Sequence, residues 1–194
     1  MKNILVIMAH PKFEHSRIMK GMVDEIQGLP NVTIRDLYEL YPDFNVQVQE
    51  EQELLLLADV LVWLHPVYWY SSPPLLKQWI DLVLEFNWAY GPRGTYLKGK
   101  TAVSAISTGG NDAAYSANGK HGHDLTQFLL PFKQTATLCG MNYLPPFHIG
   151  GSHELEAQKL KQETGLFKSL LEFLTQTSDF SGLHQLPKLN QYNP

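Results

Sequence analysis

The sequence is short of the features that would place it outside the ordinary globular proteins. Its one cysteine, Cys139, allows no disulfide within the chain and is expected to be a buried small hydrophobe. Charge is sparse: 18% of residues, a net of -4 and no run of Lys or Arg, so no nucleic-acid partner is expected. No apolar run approaches the about 20 residues a membrane span needs; Ile4 to Ala9 and Leu54 to Leu64 are short or interrupted. The opening "MKNILVIMAHPKFEHS" has a lysine before an apolar run. That run is too short for a signal peptide and no small-residue cleavage site follows, so a cytoplasmic location is expected. There is no P-loop and no G-x-G-x-x-G turn, which disfavours nucleoside triphosphates and Rossmann-type NAD binding. His121-x-His123 lacks a second ligand pair and a cysteine partner, so no metal site is expected.

What is present is an alternation of strands and helices. Ile4 to Ala9, Val60 to Leu64 and Thr101 to Ile106 are continuous apolar runs, the pattern of parallel strands buried on both faces. Val32 to Arg35 alternates like an edge strand, and 141–149 reads as a final edge strand. Helices are expected where Ile18, Met22 and Ile26 recur at helical spacing, over 50–59, and after Pro73 and Pro74. A further helix over 123–138 carries Pro131 as a kink or break, and the last presents Leu166, Phe167, Leu170, Leu171 and Leu174. This order predicts an α/β, doubly wound, five-stranded parallel sheet of flavodoxin-like order 2-1-3-4-5. It occupies 1–174, followed by a polar tail, 175–194, that hugs the surface or is disordered.

In such sheets ligands bind beyond the carboxyl ends of the strands, and three of those ends carry unusual residues. After the first strand, "AHPKFEHSR" leads into a helix N-terminus suited to a phosphate, with His10, Ser16 and Arg17 nearby. Ser16 serves equally as the helix cap. After the third expected strand, "HPVYWYSSPP" crowds rings and prolines together. Main-chain amides of Val67 to Tyr70 suit the polar edge of a flat, acceptor-rich ring such as a flavin, with Trp69 beside it. After the fourth, Thr108-Gly109-Gly110 lets backbone approach a ligand, and the following loop holds Tyr115 and His121. His65, before Pro66, reads as structural.

Together "AHPKFEHS", "DVLVWLHPVYWYSSPPLLKQWIDLV" and "STGGNDAAYSANGKHG" resemble the NAD(P)H:quinone oxidoreductase family of flavodoxin-like proteins. "LYELYPDFNVQVQEEQ" is similar to the ancillary oxidoreductases of bacterial glutathione-regulated potassium-efflux systems. The resemblance covers residues 4 to 174. It implies an FMN enzyme, with FAD less expected, that takes a hydride from NADH or NADPH and passes electrons to a quinone-like acceptor. His10, Ser16, Arg17 and Ile18 would hold the phosphate and ribityl chain. Val67, Tyr68, Trp69 and Tyr70 would line the ring, with Ser107, Thr108, Gly109 and Gly110 at its polar edge. Tyr115 and His121 match the family's hydride-transfer pair. A homodimer would complete the pocket, with Tyr90 and Tyr96 on its substrate side. The alternatives are an azo- or nitro-reductase, and a regulatory subunit docked on a potassium/proton antiporter at the inner face of the membrane.

Overall fold

The structure, a computed structural model, describes residues 1–192. Five strands lie side by side in the order β2-β1-β3-β4-β5, where β1 is Ile4–Met8, β2 Val32–Asp36, β3 Val60–Pro66, β4 Thr101–Ser107 and β5 Asn142–Tyr143. A sixth, β6 (Phe147–Ile149), also pairs with β4, so the expected single edge strand is two. The reason is local: Pro145 and Pro146 have no N–H to give to the ladder. Every pairing is parallel, with Ile4 opposite both Val32 and Val60, and Val60 opposite Thr101.

Parallel neighbours need helical crossovers, which cover both faces. The period-2 alternation of the strands divides the core accordingly. Leu5, Ile7, Leu61 and Trp63 face α3 (Val48–Leu57), α4 (Pro74–Val83) and α6 (Leu130–Leu138), meeting Leu55, Leu76, Trp79 and Phe132. Ile4, Val6, Val60 and Val62 face α1 (Arg17–Ile26) and α7 (Ala157–Gln176), meeting Met22, Ile26, Phe167 and Leu170. A short α2 (Leu37–Leu40) follows β2 directly. The expected helix over 123–138 is broken into α5 (Leu125–Phe128) and α6, with Pro131 in the first turn of the second, where its missing N–H is harmless. The segment after α7 lies back on the α1–α7 side, where Leu183 and Leu189 are buried.

One buried charge ties the α3–α4 face together. Glu51, with no exposed surface, takes hydrogen bonds from Arg35 Nε and Nη2, the Tyr41 hydroxyl and Trp79 Nε1. Both its oxygens are thereby satisfied, which is the condition for tolerating a carboxylate in a core. Burial, together with the hydrogen bond to Glu51, pushes the Tyr41 hydroxyl up to about 12. Cys139 is buried, and burial raises its thiol to about 11, out of the reactive range. No helix among the described residues is long and apolar enough to cross a membrane.

Candidate active site

The carboxyl ends of β1, β3 and β4 open into one cleft of about 560 Å³, within the size range of small-molecule sites. Its first wall is the turn from β1 into α1. His10 Nδ1 accepts from the Lys12 amide at 3.1 Å, which leaves the ring proton on Nε2, 3.4 Å from the Tyr68 hydroxyl. Burial holds the His10 pKa below its ordinary value, so the side chain is a neutral donor at the cleft edge. Ser16 is the N-cap of α1 and accepts from the Met19 amide at 3.2 Å. Among the described residues the amides of Arg17 and Ile18 have no hydrogen-bond acceptor. Two free N–H groups at the positive end of a helix dipole, beside the lysine of position 12, make an anion cradle. Arg17 itself is turned aside and donates to Leu155 O at 3.0 Å.

The second wall follows β3. The Val67 amide extends the ladder by donating to Ser107 O at 2.8 Å. Tyr68 and Ser71 then exchange main-chain hydrogen bonds of 2.9 and 3.0 Å around a two-residue turn. Its central residues, Trp69 and Tyr70, both have positive φ, 48° and 64°, where such turns usually place Asn and Gly. Left-handed backbone costs roughly 1–2 kcal/mol at each such residue. The strain throws Trp69 out of the protein, 93% exposed, rather than packing it into the cleft.

The third wall, Ser107 to Gly109, follows β4. Thr108 donates its hydroxyl hydrogen to Gly110 O at 2.6 Å. A side chain on Gly110 would crowd Ala114 and Tyr115, at 3.1 and 3.3 Å, so the glycine is what allows the next loop to fold over the turn. That loop stacks Tyr115 on His121, with ring centres 4.4 Å apart, and Tyr70 meets His121 edge-on at 5.6 Å. Burial raises the Tyr115 pKa, so the hydroxyl stays a proton donor at neutral pH.

Of the residues expected from sequence, His10, Ser16, Arg17, Ile18, Val67, Tyr68, Ser107, Thr108 and Gly109 line this one cleft. Tyr70, Gly110, Tyr115 and His121 form a cluster beside it, and Trp69 points into solvent. Tyr90 and Tyr96 lie elsewhere: Tyr90 packs on Phe86, and the exposed Tyr96 stacks on Trp88. Sequence reasoning passed over Lys12 and His15, although both stand in the stretch it singled out, and missed Ser152 and His153 altogether. The last two come from the loop after β6 and bear no local signal. They reach the cleft because the Ser152 amide donates to Thr108 O at 3.1 Å.

Comparison with known proteins agrees with this geometry. The model of a family described as having a flavodoxin-like fold matches residues 2–171. The glutathione-regulated potassium-efflux system ancillary protein KefF of Enterobacter sp. (strain 638) is 42% identical over 168 residues, 87% of this chain and 94% of the relative. General stress protein 14 of Treponema denticola, solved in complex with FMN, is 38% identical with a TM-score of 0.85, over 89% of this chain and 99% of the other. An NADPH-quinone reductase of P. pentosaceus is 30% identical with a TM-score of 0.79, over 87% and 96%.

Proposed function

The chain belongs to the flavodoxin-like fold family that includes the NAD(P)H quinone reductases, and on that premise we propose that it is an FMN-dependent NAD(P)H:quinone oxidoreductase. The observation that carries the reading is the single cleft built by three strand ends. It has an anion cradle at one end, the β3 and β4 turns along its length and an aromatic pair beside it. The residues suit the cofactor: the unpaired amides of Arg17 and Ile18 with Lys12 match a phosphate. Although the Val67 and Tyr68 amides are taken up by Ser107 O and Ser71 O, the Gly109 and Gly110 amides, without an acceptor among the described residues, suit the polar edge of a flat ring. A bound flavin would supply two-electron transfer between a nicotinamide and a quinone. The chain's own work is to orient the reactants, exclude water and offer proton donors. His10 Nε2, the Tyr115 hydroxyl and His121 are the groups placed to do so. FMN is favoured over FAD by the likeness to general stress protein 14, which was solved in complex with FMN.

The exposed rings of Trp69, Tyr70, Phe86 and Tyr96 support a homodimer, which light scattering tests directly. The likeness to KefF supports a second reading, as the ancillary subunit of a potassium-efflux antiporter. Co-purification with such an antiporter from membranes distinguishes it. For the first reading, purified protein should show a flavin spectrum that NADH or NADPH bleaches and a quinone restores, with FMN as the released cofactor by mass spectrometry. Apoprotein that never takes up FMN overturns it.

A further inference from the structure

The chain beyond α7 brings its polar side chains to one place. The Leu189 amide donates to Pro146 O at 2.9 Å. Beside it, Asn190 brackets the main chain of β6: its Oδ1 accepts from the His148 amide at 2.8 Å, and its Nδ2 donates to the His148 carbonyl at 3.0 Å. Since β6 is a sheet edge, this one side chain substitutes for the absent outer strand. The same Nδ2 reaches Glu163 Oε2 at 2.8 Å. Two residues earlier, Lys188 pairs with Asp112.

Both contacts converge on the cleft through His148, whose side chain is fully buried. Its Nε2 lies 2.7 Å from Thr108 Oγ1. The Thr108 hydroxyl hydrogen is committed to Gly110 O, which can only accept, so Oγ1 must take a hydrogen from His148 Nε2. On the other side Nδ1 sits 2.8 Å from Asp112 Oδ1, off the axis of a ring N–H. His148 first, and Lys188 with it, hold the Asp112 carboxyl well below the usual carboxylate range. The main chain runs the same way, with Thr108 N donating to Ile149 O and Gly151 N to Gly110 O. A Cβ on Gly150 would stand 2.9 Å from Gly110 O and 3.0 Å from His148 Cε1, so glycine permits the close fit.

We propose that His148 is a positioning residue, and that Lys188 to Asn190 form a strap acting through it to hold the Thr108–Gly110 turn in the shape that receives the cofactor. His148 does not line the cleft; it reaches it through Thr108, which does, and its ring also meets Tyr115 edge-on with centres 6.2 Å apart. The consequence for cofactor binding rests on the flavin reading above, whereas the strap itself does not. A turn that samples other shapes binds more weakly in proportion to the fraction of time it is misshapen.

The test uses the full chain, with amide hydrogen exchange over 107–112 in the apoprotein and FMN affinity from flavin fluorescence quenching. His148→Leu and Asn190→Ala should each speed exchange at the turn and weaken FMN about fivefold. His148→Gln, whose amide nitrogen can still donate to Thr108, should recover most of both, a rescue that mere filling of space would not give. Thr108→Val combined with Asn190→Ala should weaken FMN no more than the worse single change, since both act through one hydroxyl. If Asn190→Ala or His148→Leu fails to fold, Lys188→Met, confined to a surface pair, carries the test with an expected effect of about twofold. Unchanged exchange at 107–112 in the folded strap variants, or full additivity in the double variant, overturns the proposal. A wild type that ignores FMN while Asn190→Ala or Lys188→Met still loosens the turn would remove the flavin reading and leave the strap. A wild type that binds FMN with an unresponsive turn would do the reverse.

Discussion

His65 should make this protein acid-sensitive by an amount the structure allows to be worked out. It ends the central strand β3 with no exposed surface and stacks on Phe132, ring centres 5.0 Å apart and planes 26° apart. Its Nδ1 is 2.9 Å from Pro66 O, an acceptor, so the neutral ring keeps its hydrogen there and turns Nε2 inward, where no partner among the described residues meets it. A proton on Nε2 would be a cation in an apolar pocket without an acceptor, and burial accordingly lowers the pKa from 6.5 to about 4. Because the native value is the lower one, the unfolded chain takes the proton first as pH falls. Stability is therefore undiminished above 6.5, declines from there toward 4, and changes no further through this group below that. Each pH unit in the window costs about 1.4 kcal/mol, about 3 kcal/mol in all, a substantial share of a typical domain's 5–15 kcal/mol. Urea unfolding followed by the fluorescence of Trp63 and Trp79, both buried, at several pH values from 7.5 to 4.5 measures it. His65→Gln, whatever its starting stability, should show a slope shallower by about 1 kcal/mol per pH unit between 6 and 5. Parallel slopes in the two proteins would refute the reasoning and show that the pocket admits water or a counter-charge.

Three other expectations follow from particular contacts. Tyr115→Phe and His121→Gln should retain FMN yet slow its reduction by NAD(P)H roughly tenfold or more each in stopped-flow experiments; as the rings stack at 4.4 Å, the double variant should lose less than the product. Glu51→Leu should lower stability by about 3 kcal/mol or more in urea unfolding, because it leaves Arg35 Nε and the Trp79 N–H unpaired in a site built around the carboxylate, with Glu50 alone to balance Arg35. Trp69→Asn should leave stability unchanged or raise it by up to about 1 kcal/mol, since Asn tolerates a φ of 48° and the ring buries almost nothing; if the ring faces the acceptor, KM for quinone rises as stability holds.

Much of the architecture was determined by the sequence alone, because the signals are local and repeated. Runs such as Ile4 to Met8 and Thr101 to Ser107 state their burial on both faces, and helical spacing of Ile18, Met22 and Ile26 locates the first crossover. Strand ends on an alternating parallel sheet then have one place to go, so nine of the expected cofactor residues meet in one cleft. What the tertiary structure alone decided lies where residues distant in sequence meet or where backbone strain sets direction. Nothing in "VYWYSS" tells that Trp69 faces water while Tyr70 reaches His121; that depends on two positive φ values imposed by the hydrogen bonds between Tyr68 and Ser71. Tyr90 and Tyr96 pack on Phe86 and Trp88 and do not line the cleft of a single chain, so a place for them on the substrate side needs the proposed second copy. The contact of His148 with Thr108 spans 40 residues and that of Asn190 with His148 spans 42. No periodicity encodes such pairs, because a side-chain hydrogen bond depends on three-dimensional placement that only the packed sheet and α7 supply.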